Sequence, residues 1–359
     1  MRDPARHDHG VFLAAGRGTR FWPASRHDTA KQFLPVAGTE PLLRRTWNRL
    51  DGIVPPERRW VVTGADQVEA ARACLPELSA ANLLAEPVGR NTAACAAWSA
   101  LAVRRRAPDA VLALLPSDHV IEPAEAFRAA LAAAFDEAHA SNALVTLGIR
   151  PTRPATGYGY IELGERIAAG TDGRECHAVS RFVEKPDAAR AREFLASARF
   201  LWNAGIFVWR PDAILQAFER YAPDILGPLV EAGDDAGIAR IFAELPARSV
   251  DVAILERAKN VRVMPFAGRW NDVGSWAALP EVIAADEAGN WRSGGARSIA
   301  VDATRCVVHA PADELVALLG VGDLIVVRAG DATLICARDR AEQVRAIVER
   351  LGVEAPEFL

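Results

Sequence analysis

The chain is short of lysine, of paired cysteine, of long apolar runs and of excess positive charge. Each shortage excludes something. No apolar run in the 359 residues approaches the roughly 20 needed to cross a bilayer. The formal net charge is −4, so nothing in the bulk electrostatics points to nucleic acid or an acidic membrane. The five cysteines, Cys74, Cys95, Cys176, Cys306 and Cys336, form no CxxC pair and no even framework. That predicts buried thiols and a reducing, cytoplasmic setting. The stretch Met1–Gly10 is polar and His-rich, unlike a signal peptide. Of 42 basic residues only three are lysines: Lys31, Lys185 and Lys259. In a chain that uses arginine so freely, a retained lysine is either chance or a place where a compact point charge is needed.

What is present is a chain that is 50% hydrophobic and 25% charged, a globular composition long enough for a large unit and a smaller one. From Gly10 to Ile149, short apolar runs (Val11–Ala14, Trp60–Thr63, Asn82–Ala85, Val111–Leu115, Leu144–Leu147) alternate with amphipathic stretches (Pro41–Leu50, Ala65–Cys74, Thr92–Arg105, Ala124–Ala138). This βαβ alternation predicts an α/β fold with a mainly parallel, Rossmann-like sheet flanked by helices. From Pro151 to Glu281 the order is mixed, with strands expected at Ala178–Glu184 and Gly205–Trp209 and helices at Pro211–Arg220 and Asp251–Ala258. A polar, Gly-rich boundary near Ala285–Gly295 divides residues 10–284 from 285–359. Beyond it, closely spaced short runs predict a small β-rich unit, a sheet or a short β-helix. A last helix, Arg340–Leu351, is expected to end at Gly352 as a C-cap.

Sheets of this kind bind ligands beyond the carboxyl ends of their strands, so the loops there carry the motifs. The first strand runs into Ala14-Ala15-Gly16-Arg17-Gly18-Thr19-Arg20. Phe21 stands where a dinucleotide fingerprint needs its third glycine, and no Gly-Lys-Ser/Thr is present for a P-loop. A Gly-rich turn remains, with Arg17, Arg20, Arg26 and Lys31 inside fifteen residues. It is either a tight turn with solvated arginines or an anion cradle. The fourth strand ends in Leu115-Pro116-Ser117-Asp118-His119. A carboxylate there suits a hard cation such as Mg²⁺, or caps the next helix. Asp272, in Trp270-Asn271-Asp272-Val273-Gly274-Ser275-Trp276, offers a second carboxylate. Glu184, Asn203 and the Gly157-Tyr158-Gly159-Tyr160 turn offer what a polyol needs, hydroxyl partners and close backbone approach. Trp202 and Trp276 read as core packing before stacking platforms.

Taken together, LAAGRGTRFWP, KQFLP, EPVGRNTAA, LPSDH, GYGY, FVEKP, LWNAG, SVDVAILE and WNDVGSW resemble mannose-1-phosphate guanylyltransferases, of the sugar-1-phosphate nucleotidylyltransferase superfamily. The resemblance runs from about Val11 to Trp276 in the family's order, and the β-rich end looks like that family's C-terminal domain. The isomerase domain of the longer bifunctional members has no counterpart, so that second activity is not expected. The resemblance implies that Leu13, Ala14, Ala15, Gly16, Gly18 and Thr19 hold guanine and phosphates through their backbone, with Ser117 beside them. It gives Glu86, Arg90, Asn91 and Thr92 to base selection, and Asp118 and Asp272 to Mg²⁺. Arg20 and Lys31 would stabilise the triphosphate and departing pyrophosphate. Gly159, Glu184 and Asn203 would bind the hexose, and Lys185 its phosphate. Ala15 and Ala30 depart from the family's Gly and Pro; a methyl at 15 would crowd the site if its φ were positive.

The implied substrates are GTP and mannose 1-phosphate, joined by in-line attack of the sugar phosphate on the α-phosphate. The nucleophile is already anionic, so no general base is required. A different nucleotide or sugar, or a non-catalytic nucleotide-sugar sensor, remain the alternatives at this point. A homodimer is a further expectation from the apolar C-terminal strands; nucleic acid and membrane are not expected partners.

Overall fold

The computed structural model describes residues 7–167 and 174–359. Residues 1–6, part of the polar stretch read above, lie outside the described residues. Eleven strands build the larger part of the molecule: β1 (Asp8–Ala14), β2 (Arg59–Gly64), β3 (Leu83–Glu86), β4 (Val111–Pro116), β5 (Val120–Glu122), β6 (Leu144–Ile149), β7 (Tyr160–Ile167), β8 (Cys176–Val183), β9 (Phe200–Trp209), β10 (Val261–Phe266) and β11 (Arg269–Asn271). Nine of them form one sheet in the order β3-β2-β1-β4-β9-β6-β10-β8-β7. The first four strands are parallel. They read as unbroken apolar runs because helices α1 (Leu42–Asn48), α2 (Val68–Cys74), α3 (Asn91–Arg106) and α4 (Ala124–Ala140) cover both faces. Past β4 the sheet turns mixed, because β9 runs against both β4 and β6. Its amino end therefore lies at the carboxyl edge of its neighbours.

Register decides what meets at that edge. Leu13 of β1 pairs with Pro116 of β4, so the loops that follow both strands leave side by side. The ribbon β5–β11 pairs Val120 with Asn271, which sets Asp272 next to the Asp118 segment. Trp202 of β9 pairs with Ile149 and with Tyr160 of β7, which carries Asn203 and Gly159 to the same edge.

Strands β12 (Trp291–Ser293), β13 (Arg297–Val301), β14 (Val307–His309), β15 (Leu315–Leu319) and β16 (Leu324–Ala329) alternate between two stacks. β12, β14 and β16 stack in parallel, as do β13 and β15, which is the wall pattern of a short β-helix. An antiparallel strand β17 (Ala332–Ala337) closes it. Ala303, Cys306, Val308, Leu318 and Val326 form its own interior, while Val307, Ile325, Val327 and Leu334 pack in one cluster with Phe21, Trp22, Val36, Leu42 and Trp276.

Several elements differ from the sequence reading. Gly352 lies inside the last helix, α9, which runs Val344–Glu354 after α5–α8 (Ala188–Ser197, Pro211–Tyr221, Pro223–Glu231, Asp235–Ile241). Pro356 blocks α9 instead, and the Ala355 N–H closes back on the Leu351 carbonyl at 2.9 Å. The segment expected as a helix over Asp251–Ala258 is a π-helical turn over Asp251–Leu255. The Thr92 hydroxyl accepts the Val250 N–H and Asn203 donates to Asp251, so neighbours dictate its entry. β7, β10 and the short β5–β11 ribbon carry no strong apolar run, and the sequence reading does not contain them. Cys95, Cys176 and Cys306 are buried and Cys74 and Cys336 half-buried, all as free thiols. Among the described residues no helix is long and apolar enough to cross a membrane.

Candidate active site

The turn after β1 wraps around one lysine. Gly18 has φ +62°, and a Cβ on it would stand 2.3 Å from the Cβ of Lys31. Only glycine allows both the left-handed backbone and that approach. Lys31 is 4% exposed. Its Nζ donates to Asp118 Oδ2 at 2.8 Å and to the Asp272 carbonyl at 2.6 Å. Three chain segments far apart in sequence thus meet on one ammonium. Burial pushes the Asp118 carboxyl up, but Lys31 and His119 outweigh it and hold it below the usual carboxylate value. Tyr158 donates its hydroxyl to Asp272 Oδ1 at 2.8 Å. Burial and the Asp272 charge hold that phenol in its protonated form.

The loop is braced from behind. The Ser117 hydroxyl donates to the Leu13 carbonyl at 2.7 Å, and Gln32 Nε2 to the Ala14 carbonyl at 2.6 Å. Ser117, expected as a ligand contact, is buried and ties the ends of the two strands together through that bond. Arg49 of the turn after α1 is buried and donates to the His119 carbonyl at 3.2 Å. Burial, with Arg45 beside it, pulls that guanidinium down to about 9. Val273 sits in the left-handed region (φ 46°), an unusual conformation for a β-branched residue, and its N–H donates to Asn271 Oδ1 at 2.7 Å. Ala15 is not among the residues with positive φ, so its methyl creates no backbone strain. Ala30 adopts φ −81°, which proline could also take.

Two adjoining cavities open here. One, of about 280 Å³, is lined by Gly18, Thr19, Arg20, Lys31, Asp118 and Asp272 among others. The second, of about 790 Å³, shares Arg20, Asp272 and Gly274 with it and reaches Tyr158, Arg153 and Lys185. Next to Lys185, a Cβ on Gly159 would lie 2.6 Å from Glu184 Oε2 and 3.3 Å from the Asn203 Cβ. Asn203 Nδ2 donates to Asp251 Oδ1 at 2.7 Å, and Lys185 pairs with Glu184. Burial and the Glu184 charge push Asp251 up to about 6.

Glu86, Arg90, Asn91 and Thr92 line neither of these two cavities. Glu86 is buried at the end of β3, its Oε1 without a hydrogen-bond partner, and burial pushes it up to about 7 against a hydrogen bond with Cys95. Asn91 has φ 60° and opens α3, its side chain accepting the Thr92 N–H. The Gly16 position is exposed, with no atom within 4 Å of where its Cβ would be.

Asp118 Oδ1 and Asp272 Oδ2 receive no side-chain hydrogen bond from the described residues, and Gly274 leaves Asp272 Oδ2 uncovered, since a Cβ there would stand 3.2 Å away. Two hard oxygen donors facing one cavity fit Mg²⁺. Among the described residues no group of three or more His, Cys, Asp or Glu could hold a metal by itself, so other oxygens must complete the shell. Sequence reasoning missed Tyr158 as a partner of Asp272, and Asp251 as a partner of Asn203, though both lie in the quoted motifs. It missed Arg49 entirely, because nothing local marks a helix-end arginine as buried.

A nucleotidyl transferase family model matches residues 9–289, and a model for the mannose-phosphate isomerase/GMP-like β-helix domain matches 296–351. The chain is 38% identical over 351 residues to the xanthan biosynthesis protein XanB of Xanthomonas campestris pv. campestris strain B100, covering 95% of this chain and 72% of that one. It is 38% identical over 362 residues to a mannose-1-phosphate guanylyltransferase of Escherichia coli K12, covering 96% and 73%. A crystal structure from Thermus thermophilus, described as a mannose-1-phosphate geranyltransferase, superposes with a TM-score of 0.87 at 38% identity, covering 96% of this chain and 99% of that one.

Proposed function

The chain belongs to the mannose-1-phosphate guanylyltransferase family, and from that premise we propose that its cleft joins GTP to mannose 1-phosphate, releasing GDP-mannose and pyrophosphate. The observation that carries the reading is the Lys31 ammonium, bonded to Asp118 and to the Asp272 carbonyl inside a cavity bounded by the Gly18 turn and Arg20. The obstacle to the reaction is charge. Each close like-charge pair at about 4 Å costs roughly 4 kcal/mol at an effective dielectric near 20. Fixed cations meet that cost by position, so the residues act by holding and neutralising. In this reading Arg20 and Lys31 hold the triphosphate and the departing pyrophosphate. The N–H groups of the Leu13–Thr19 loop approach the nucleotide, since the Leu13 and Ala14 carbonyls are already engaged. Glu86, Arg90, Asn91 and Thr92 select the base. Gly159, Glu184 and Asn203 receive the hexose, and Lys185 its phosphate.

Asp118 and Asp272 are the residues that would hold Mg²⁺. When bound, that ion supplies positive charge against the phosphate oxygens. The sugar phosphate is its own nucleophile, which fits a cleft whose lining histidine, His119, is kept below the usual imidazole value by burial. Attack in line with the pyrophosphate inverts configuration at the α-phosphorus and leaves the anomeric C–O bond intact. Cytoplasmic residence belongs to the same proposal, with five free thiols in its favour. A homodimer does too, since Ile299, Val301, Leu315 and Leu319 expose an apolar face. The test is pyrophosphate release across a matrix of nucleoside triphosphates and sugar 1-phosphates with Mg²⁺. Signal is expected with GTP and mannose 1-phosphate; equal signal with UTP would overturn the nucleotide assignment.

A further inference from the structure

The phosphate cavity is closed on one side by residues from the far end of the chain. Arg345, in the first turn of α9, lines it together with Gly18, Thr19, Arg20, Lys31 and Asp118. Glu342, just before α9, lines the adjoining cavity and holds Arg20 Nε at 3.0 Å. The mount is firm. Val344 is 2% exposed and packs in the cluster that contains Phe21, Trp22 and Trp276. The Trp22 indole donates to the Phe358 carbonyl at 2.9 Å, past the end of α9. The Gly18–Arg20 turn and α9 are thus packed against one core.

The charges in the cavity leave a place for Arg345. Lys31 is taken by Asp118, and Arg20 by Glu342. Arg345 adds a further arginine to the lining that already holds Arg20 and Lys31. Arg345 is exposed, and its hydrogen-bond partner is Glu349, one turn along the same helix at 3.0 Å. Such a surface pair is weak and easily exchanged. A guanidinium fork matches phosphate geometry and is always charged.

We infer that Arg345 is a phosphate-binding residue of this active site, supplied by the β-helix end of the chain to the pyrophosphate moiety of the nucleotide and of the released product. The inference rests on the reaction proposed above and adds to it a group outside every motif of the catalytic half.

The test compares Arg345→Ala and Arg345→Lys with the unmodified full-length protein, varying GTP and mannose 1-phosphate separately and measuring inorganic pyrophosphate binding by calorimetry. For Arg345→Ala we expect KM for GTP to rise and pyrophosphate binding to weaken by about tenfold, the size of one lost charge-assisted contact. KM for mannose 1-phosphate and the melting temperature should stay as they were, and Arg345→Lys should recover part of the loss. GTP KM and pyrophosphate affinity both within about twofold of the unmodified protein would overturn the inference. If the unmodified protein makes no GDP-mannose, the reaction assignment fails on that measurement alone. Pyrophosphate binding then still decides the role of Arg345.

Discussion

The two halves of the cleft are held in different ways. On the side proposed for the phosphates, Gly18, Lys31, Asp118 and Asp272 come from four segments and are locked by a buried ammonium. That knot is braced from behind by Arg49, Gln32 and Ser117. On the side proposed for the hexose, Lys185 is exposed and pairs with its own neighbour Glu184, and Asn203 donates to Asp251, a carboxyl that burial and the Glu184 charge raise to about 6. The difference teaches where rigidity is needed. Charge that must neutralise a reacting phosphate has to be in place beforehand, because a shift of an ångström there is costly in rate. A ring of hydroxyls can be met by side chains that settle on arrival.

Breaking the rigid half should therefore cost most. Asp118→Asn removes a carboxylate assigned to Mg²⁺ and leaves the Lys31 ammonium buried without its ion partner. Turnover should fall by roughly three orders of magnitude, the scale of losing a preorganised electrostatic group. Stability should fall by about 3 kcal/mol, the scale of an orphaned buried charge. Steady-state rates over a Mg²⁺ titration, with denaturant melts alongside, check both; a variant with full activity removes Asp118 from the metal site.

Lys185→Ala addresses the looser half. It should raise KM for mannose 1-phosphate about 10- to 100-fold, the range for losing one or two charge-assisted contacts, and leave GTP binding nearly intact. The fold should be unaffected, since Lys185 is exposed. Separate saturation curves for the two substrates decide it. Equal loss for both would mean that the halves are coupled and the contrast between them is wrong.

The rigid half was also the more legible in sequence. Glycines after an apolar run, a carboxylate at the end of the fourth run and one of the three lysines, Lys31, all marked it, because strand ends and left-handed turns have local chemistry. The parallel core strands were visible for the same reason. What stayed hidden was set by pairing at a distance. The β5–β11 ribbon that brings Asp272 to Asp118 has only three residues on each strand. Arg345 lies in a helix whose amphipathic pattern says which face is buried, and nothing about the cavity its exposed face meets. Gly352 looked like a helix stop, but Pro356 sets the end.

The contrast sharpens at Asp251, where it becomes a matter of pH. Burial first, and the Glu184 charge second, raise this carboxyl from 3.8 to about 6 in the folded protein. A raised carboxyl binds its proton more tightly folded than unfolded. Its stabilising contribution is therefore fully present below about pH 4, and is lost as pH climbs through about 6. The loss above that range is at most about 3 kcal/mol, from 1.36 kcal/mol per unit. Asp251→Asn keeps an acceptor for the Asn203 amide and removes the titration. The variant should thus be more stable than the unmodified protein at pH 8 and close to it at pH 4. Its stability should change less steeply between those values. Denaturant midpoints at pH 4, 5, 6, 7 and 8 for the two proteins check this, and parallel curves would show that Asp251 carries no such burden. If the curves converge towards low pH as expected, the side proposed for the hexose holds a carboxyl that destabilises the fold at neutral pH.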